Sequence, residues 1–339
     1  MIEKGVRKMA DIQRGIAMEF VRVTEAAALR ASRWLGNGNK EQVDQAASDA
    51  MRGMLDLISI KGTVIIGEGE KDHAPMLYIG EKVGNWTDDG PEVDIAVDPV
   101  DGTRLVANGL PNALSVVAVG EHGSLLQVPS FYMHKLACGP ELKGKLDINV
   151  SVRENLKVAA AVLNKNVKDL TIMVLDRERH LELIEEIRSA GARIKLIADG
   201  DVAGAIATAI NNIDIYMGIG GAPEGVLAAA ALRCLDGEIQ AKFFAINDPE
   251  KEKVAKAGYQ FDKVYYTEDL AKGEEIIFSA TGITGGEFLE GVSFGSNQTA
   301  VTHSVVMRAK YRTVRYIKAI HNLRHKTIPS RARNTEEKV

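Results

Sequence analysis

What this sequence has little of narrows its reading first. Its 339 residues include two cysteines, Cys138 and Cys234, so no disulfide framework exists and a reducing compartment is the simpler expectation. No run of about 18 apolar residues occurs, so no transmembrane helix is expected. The charged, mixed N-terminus lacks the apolar core of a signal peptide. A formal net charge of -4 gives no basic footprint for nucleic acid over the whole surface. These absences point to a cytoplasmic protein that works on neither nucleic acid nor membrane. What is present, 45% hydrophobic and 26% charged residues, describes a folded globular chain long enough for two domains of ordinary size.

The stretch around which the chain is organised is Val93-Asp94-Ile95-Ala96-Val97-Asp98-Pro99-Val100-Asp101-Gly102-Thr103. Its first half alternates apolar and acidic residues and then turns apolar, as a strand entering a core would. The strand is expected to stop at Asp98-Pro99, since proline cannot continue a ladder and restrains its predecessor. A second acid, a glycine and a hydroxyl follow. Two carboxylates three residues apart on a strand-ending turn can converge on one hard cation, although Asp, Pro and Gly also make ordinary turns. Upstream, a β-branched strand at 63–66 runs straight into Gly67-Glu68-Gly69-Glu70. Bunched glutamates repel unless solvent or a cation offsets them, and acids ending two neighbouring strands can share a pocket.

Around these acids the first half reads as α+β. Ile12, Ile16, Phe20, Val23, Ala27 and Trp34 recur at helical spacing over 11–35, and Gly36-Asn37-Gly38 ends that helix. Asn39 or Asp44 opens a second helix, where Asp44 is either a cap favoured by the helix dipole or a functional acid. Residues 112–120 and 123–127 read as a hairpin behind the acids, completing a first domain over 1–150.

From about Leu156 strands alternate with helices, the pattern of a parallel sheet in a second domain over 151–339 whose last strand can pack back on the sheet. Strands at 171–175, 193–198 and 214–217 alternate with helices at 179–189, 202–210 and 226–235. Each strand delivers a polar knot at its C-terminal end, where open α/β sheets bind ligands. Asp176-Arg177-Glu178-Arg179-His180 offers two guanidiniums suited to phosphate, or a charged helix start. Asp199-Gly200-Asp201 offers acids to sugar hydroxyls, or a helix cap. Gly218-Ile219-Gly220-Gly221-Ala222-Pro223-Glu224-Gly225 fails the dinucleotide fingerprint because Pro223 stands in the third glycine's place. Its Glu224 is a further acid at a helix N-terminus, beside N–H groups that can receive an anion. Thr281-Gly282-Ile283-Thr284-Gly285-Gly286, after a strand at 276–280, either lines a phosphate site or forms a plain turn. Between Arg308 and Arg333 stand nine Lys or Arg residues and no acid, but alternation through 304–320 argues for a structured strand over a polyanion-binding tail.

Val97-Asp98-Pro99-Val100-Asp101-Gly102-Thr103 resembles the metal-binding signature of the lithium-sensitive phosphatase superfamily, which includes inositol monophosphatases and fructose-1,6-bisphosphatases. Four further blocks resemble the bacterial class II fructose-1,6-bisphosphatases more narrowly. They are Ile65-Ile66-Gly67-Glu68-Gly69-Glu70, Ala74-Pro75-Met76-Leu77-Tyr78-Ile79-Gly80-Glu81, the glycine-rich block 218–225, and Phe278-Ser279-Ala280-Thr281-Gly282-Ile283-Thr284. The blocks keep their order from about Ala17 to His321.

The fold this resemblance implies is α/β and α+β, a two-domain layered αβαβα sandwich of the sugar-phosphatase or inositol-monophosphatase type. The activity implied is metal-dependent hydrolysis of the 1-phosphate of fructose 1,6-bisphosphate in gluconeogenesis. A dual activity on sedoheptulose 1,7-bisphosphate and an inositol-monophosphatase-type activity stand as alternatives. Carried over position by position, Asp44, Glu68, Asp98, Asp101 and Glu224 are the ligands of Mn2+ or Mg2+. Substrate-binding positions are Asp101, Gly102, Thr103, Tyr132, Arg177, Glu178, Arg179, Asp199, Gly200, Asp201 and Gly221. Thr103 orients or deprotonates the attacking water with Asp44 or Glu70 as its acidic partner. His73 and His180 are structural or peripheral, and the partners implied are a sugar bisphosphate and further copies of the chain, as a dimer or tetramer. This chain departs from the class pattern at Asp101, where members often carry glutamate, and at Arg177, where some carry lysine.

Overall fold

A computed structural model gives the fold and describes residues 2–69, 76–210, 213–330 and 335–338. In chain order the first elements are α1 (Ile2–Ala31), α2 (Lys40–Leu55), β1 (Lys61–Ile66), β2 (Lys82–Val83), β3 (Glu92–Asp101), α3 (Thr103–Ala107) and β4 (Leu114–Glu121). There follow β5 (Tyr132–Cys138), α4 (Val152–Val162), β6 (Thr171–Leu175), α5 (Leu181–Ala190), β7 (Arg193–Ile197), α6 (Asp201–Ile210), β8 (Ile215–Gly221), α7 (Ala222–Leu235) and β9 (Glu238–Phe244). Last come α8 (Asp248–Lys256), β10 (Tyr265–Tyr266), α9 (Thr267–Leu270), β11 (Ile277–Gly282), β12 (Ser293–Gly295), β13 (Thr299–Arg308), β14 (Thr313–Asn322), β15 (Thr327–Ser330) and β16 (Thr335–Lys338).

The chain forms two compact α/β units: residues 1–125 with 273–339, and residues 126–272. The change of pattern in the sequence suggested a division at 150/151. The difference arises because β5 and the segment before α4 belong with the later strands, whereas β11 to β14 join the first sheet.

In the first unit the sheet runs β12-β13-β11-β4-β3-β1-β2, with β14 paired to β13. Helices α1 and α2 pack on it, α1 against β11, β13, β4 and β3, and α2 against β3. Phe20, Val23 and Ala27, part of the 3.6-residue stripe the sequence displays, are buried, and Leu29 on the opposite side of α1 is buried in a cluster with Ala50 of α2. Helix α1 stops at Ala31 rather than at 35, and a single 3-10 turn, Ser32–Trp34, carries the chain on. Asn39 caps α2, its side chain accepting from the Gln42 N–H at 3.1 Å. Asp44 therefore lies inside the helix and is not its cap.

Two expectations in this unit are corrected. Strand β3 does not stop at Pro99 but runs to Asp101, and its register against β4 slips between Asp98↔Val116 and Asp101↔Leu114. A bulge tolerates proline because a ladder position there needs no N–H donor. Residues 123–127 make no hairpin with 112–120. The buried Asp94 carboxylate instead accepts from the Gly123 N–H at 2.7 Å and the Leu125 N–H at 3.4 Å, holding this segment as a capped turn. The partners of β4 are β3 and β11.

Thr281 and Gly282 lie within β11, and the Thr281 hydroxyl is buried between those of Thr24 and Ser304, each at 2.8 Å. Such a mutually satisfied hydroxyl row fixes α1 on the sheet. It leaves the Thr281 side chain no part in a phosphate site.

The second unit's sheet runs β10-β9-β5-β8-β6-β7. β6 is parallel to β7 and β8, but β5 is antiparallel to both β8 and β9, so the sheet is mixed rather than all parallel. One face carries Leu136, Cys138, Ile172, Val174, Ile215 and Met217 into a core with α4 and α5. Helices α6 and α7 pack with each other and with β5 and β8. A strand covered on both faces reads as a continuous apolar run, as Ile172-Met173-Val174-Leu175 does. Among the described residues no helix is long and apolar enough to cross a membrane.

Candidate active site

In the first unit the site is built where β3 meets α3. Gly102 sits between them at φ +92°, and a Cβ there would lie 2.8 Å from Leu105 Cδ1. Only glycine takes that turn without strain. Asp98 Oδ1 accepts from the Val100 N–H at 3.0 Å, which steadies the bulge, and Asp101 is buried at its end. Thr103, the first residue of α3, donates its hydroxyl to Asp44 Oδ1 at 2.6 Å across 59 residues of sequence. Its other near oxygen is the Val100 carbonyl at 3.3 Å. The one hydroxyl proton goes to the nearer, charged acceptor, which leaves the Thr103 oxygen as an acceptor toward solvent. Burial raises the Asp44 carboxyl above its usual range, and the Thr103 bond and Lys40 pull it partly back. Of the two acids expected to partner Thr103, Asp44 is the one in contact; Glu70, like His73, lies outside the described residues.

Glu68 is exposed on the turn after β1, its N–H donating to the Leu77 carbonyl at 3.0 Å. Gly67 is needed beside it, since a Cβ there would lie 2.0 Å from the Leu77 carbonyl oxygen. Among the described residues no three His, Cys, Asp or Glu side chains stand close enough to hold a metal ion together. Asp44, Glu68, Asp98 and Asp101 are therefore not gathered into a formed centre.

In the second unit the site residues gather at one end of β5, β6 and β8. The Arg177 guanidinium pairs with Asp199 Oδ1 at 3.1 Å and donates to the Ala198 carbonyl. Arg179 donates through Nε and Nη2 to the Ile219 carbonyl at 3.1 and 2.8 Å, with its guanidinium carbon 5.3 Å from the Tyr132 ring centroid. Glu178 beside them is exposed. His180 is structural: Nδ1 faces the Leu175 carbonyl at 2.7 Å, and Nε2 accepts from the Ile219 N–H at 2.7 Å. Nδ1 therefore carries the proton, and burial, the larger effect, lowers the pKa of the ring.

Asp201 does not point to solvent as a free acceptor. Its Oδ2 takes the Lys135 ammonium at 2.7 Å, with Lys135 and Asp201 both buried. The glycines of β8 make room for the acids around it. A Cβ on Gly220 would lie 2.0 Å from Asp201 Oδ2, and one on Gly221 would lie 1.9 Å from Glu224 Oε2. Glu224 Oε2 is buried without a hydrogen-bond partner. Burial first, then Asp201, raises the pKa of that carboxyl, while Lys135 acts the other way.

Lys135 is the residue the sequence reading missed. The signal available was its place in Tyr132-Met133-His134-Lys135-Leu136-Ala137-Cys138, where Met133 and Ala137 are its apolar neighbours on one strand face and a lone lysine has no solvent to reach.

Comparison with known proteins decides the family. The family described as bacterial fructose-1,6-bisphosphatase, glpX-encoded, matches residues 14–321. The chain belongs to it. Fructose-1,6-bisphosphatase 1 class 2 of Escherichia coli (strain K12) is 46% identical over 330 residues, covering 93% of this chain and 97% of that protein. Fructose-1,6-bisphosphatase class 2 of Shigella flexneri shows the same identity and coverage. Among solved structures, an extragenic suppressor from Pyrococcus furiosus aligns over 63% of this chain and 74% of its own, at 13% identity and TM-score 0.29.

The acids of this family member offer carboxylate oxygens throughout, the donor set of a hard divalent cation. The buried, unpartnered Glu224 Oε2 fits that use, because a buried carboxylate oxygen without a donor is costly unless a cation or a proton compensates it.

Proposed function

We infer that this chain hydrolyses the 1-phosphate of fructose 1,6-bisphosphate to fructose 6-phosphate and phosphate, the bisphosphatase reaction of gluconeogenesis. The observation that carries this is the family match over 14–321. The Thr103–Asp44 hydrogen bond supports it, since a relay to an attacking water needs a hydroxyl bonded to a carboxylate. Activity depends on a divalent cation, Mn2+ or Mg2+, held by oxygens of Asp44, Glu68, Asp98, Asp101 and Glu224. When bound, the cation lowers the pKa of a water and neutralises charge on phosphate oxygens.

The chain's own residues supply the rest. The Thr103 oxygen accepts a hydrogen bond from the attacking water while its own proton is donated to Asp44 Oδ1; as the water attacks phosphorus, its proton passes to Thr103 and the Thr103 proton passes to Asp44. Asp44, raised by burial, is the base at the end of this relay. Because Oδ1 accepts from Thr103, Asp44 would offer a cation its Oδ2. In the second unit Arg177 and Arg179 hold the distal phosphate through the guanidinium N–H groups that Asp199, Ala198 and Ile219 leave free, and Tyr132 backs Arg179, which positions the sugar. Asp199, oriented by Arg177, accepts from sugar hydroxyls; Asp201, whose Oδ2 is taken by Lys135, has Oδ1 left for that use, and Gly221 leaves room for Glu224. The shorter Asp101, where the class often has glutamate, retains the carboxylate.

Membership of the lithium-sensitive superfamily is part of this proposal, carried by the motif 97–103, and so is a cytoplasmic location, in keeping with the two free cysteines. The test is a panel of fructose 1,6-bisphosphate, sedoheptulose 1,7-bisphosphate and inositol monophosphate, assayed for phosphate release with and without Li+. Fructose 1,6-bisphosphate is expected to be hydrolysed best among the first and third, with Li+ inhibiting. Preference for the inositol ester would replace the reading with the monophosphatase alternative. Glu68→Ala and Asp98→Ala are each expected to abolish turnover with circular dichroism unchanged.

A further inference from the structure

Strands β6 and β8 separate before β6 ends. Among the described residues they pair at Ile172↔Ile215 and Met173↔Tyr216 and not beyond, although β6 stays with β7 as far as Leu175↔Ile197. The same register carried on would set Leu175 opposite Gly218 and bring the Leu175 carbonyl to the Ile219 N–H, the next rung of a parallel ladder. The His180 ring stands in that place instead. Its Nδ1–H donates to the Leu175 carbonyl at 2.7 Å, and its Nε2 accepts from the Ile219 N–H at 2.7 Å. One direct rung is thus replaced by two bonds through an imidazole, which holds the strand ends apart at the end where open α/β sheets bind ligands.

The place is shaped for the ring. His180 is 1% exposed. Burial lowers its pKa; the Leu175 carbonyl opposes this, and the charges of Arg179 and Arg177 add to it. The ring is therefore neutral at pH 7, and Nε2 stays an acceptor. Gly218 lies at φ +151°, and a Cβ there would stand 3.2 Å from both Cε1 and Nε2 of His180. Any other residue at 218 would be strained in its backbone and pressed against the imidazole.

What the ring holds is one edge of Ile219. The other edge of β8 belongs to β5, with His134 opposite Ile219. On the edge that β6 leaves open, the Ile219 N–H goes to His180, and its carbonyl accepts Arg179 Nε at 3.1 Å and Nη2 at 2.8 Å. The N–H and carbonyl of one strand residue point to the same side, so a shift of the N–H carries the carbonyl with it. Two of the five guanidinium donors of Arg179 are spent on that carbonyl. The direction of the rest is set by it and by the Tyr132 ring, whose centroid lies 5.3 Å from the guanidinium carbon.

We propose that His180 is a positioning residue for the distal phosphate: by bridging Leu175 and Ile219 it fixes the Ile219 carbonyl that aims Arg179. The inference rests on the reading of Arg179 as part of the phosphate clamp and goes beyond it, since His180 itself touches no substrate.

Two variants separate the two nitrogens. In His180→Asn the side-chain amide takes the place of Nδ1 and keeps the Leu175 bond, but falls short of the Ile219 N–H. In His180→Gln the amide oxygen takes the place of Nε2 and keeps the Ile219 bond, at the expense of the one to Leu175. Each variant loses one hydrogen bond, so a purely structural role predicts the same loss of affinity in both. Binding of fructose 6-phosphate, which carries only the distal phosphate, is measured by isothermal titration calorimetry with Mn2+ present. His180→Asn is expected to bind it about tenfold more weakly, and His180→Gln to stay within about threefold of wild type. The KM for fructose 1,6-bisphosphate is expected to rise in step in His180→Asn, with kcat within about threefold of wild type. In an Arg179→Ala background His180→Asn is expected to add nothing further to the loss.

Equal losses in the two variants, wild-type affinity in His180→Asn, or full additivity with Arg179→Ala would each overturn the proposal. Should His180→Asn fail to fold by circular dichroism, His180→Gln carries the test, and a tenfold loss of affinity in it would overturn the proposal as well. A wild-type protein that releases no phosphate from fructose 1,6-bisphosphate would sink the hydrolysis reading alone, because the titrations need no turnover. Absence of fructose 6-phosphate binding by wild type would overturn the clamp and this proposal with it.

Discussion

Replacing Thr103 with valine removes one hydroxyl and keeps the shape of the side chain, so it tests the relay directly. The hydroxyl donates to Asp44 Oδ1 at 2.6 Å, a short charge-assisted bond. Its loss leaves a half-buried carboxylate oxygen that water can reach, so the cost to stability is about 1 kcal/mol, the low end for such a bond. In the proposed relay the cost to catalysis is larger, because the water loses its acceptor and its path to the base. General-base positioning contributes about 10²- to 10⁴-fold, which corresponds to roughly 3–5 kcal/mol of barrier. Thr103→Val is thus expected to lower kcat by about 10²-fold or more while KM for fructose 1,6-bisphosphate changes by less than about threefold. Thr103→Ser restores the hydroxyl and is expected to stay within about tenfold of wild type. The assay is phosphate release at saturating Mn2+, with the melting temperature measured alongside. A Thr103→Val enzyme with wild-type kcat would refute the relay, whatever its stability.

Lys135→Met strands Asp201 in a buried site and is expected to cost about 3–5 kcal/mol, seen as a fall in melting temperature of roughly 10 °C. Pairing it with Asp201→Asn removes the unpaired charge and recovers part of that loss; no recovery would show that the ion pair is not the cause. Gly221→Ala drives a Cβ to 1.9 Å from Glu224 Oε2, and the displaced carboxylate is expected to lower activity on the order of tenfold or more with the circular dichroism spectrum intact. His321 is held neutral, its pKa lowered to about 4 by burial and then by Lys326. The unfolded chain takes up this proton first, so the stability tied to the neutral ring is complete above pH 6.5 and is lost as pH falls toward about 4. His321→Gln is expected to flatten the stability profile over that window in urea titrations, and an unchanged slope would count against it.

The legible part of this molecule is the part whose meaning is local. The alternation of 93–97 and the acids after it, the small-residue helix at 202–210 and the strands at 171–175 and 193–197 all follow from periodicity and turn chemistry. Where the sequence reading erred, tertiary partners decided. Asn39 and Asp44 are both good caps in isolation, and only the approach of Thr103 from α3 assigns Asp44 another bond. Pro99 breaks a regular ladder, but a bulge against β4 gives it a position that needs no donor. The acids of Asp199-Gly200-Asp201 are legible as polar, yet their partners Arg177 and Lys135 lie 22 and 66 residues away in the chain. Thr281 looks like a phosphate ligand in its motif and is instead one member of a buried hydroxyl row reaching α1. The roles of Glu68, Asp98 and Asp101 stand on the resemblance and on their place at strand ends, since their side chains do not form a closed cluster among the described residues.

The central claim is metal-dependent hydrolysis of a sugar bisphosphate. Its most direct test is phosphate release from fructose 1,6-bisphosphate by the purified protein, with Mn2+ or Mg2+ and again in excess EDTA. Turnover is expected with the cation, none in EDTA, and recovery when the cation is restored. Full activity in EDTA would contradict it.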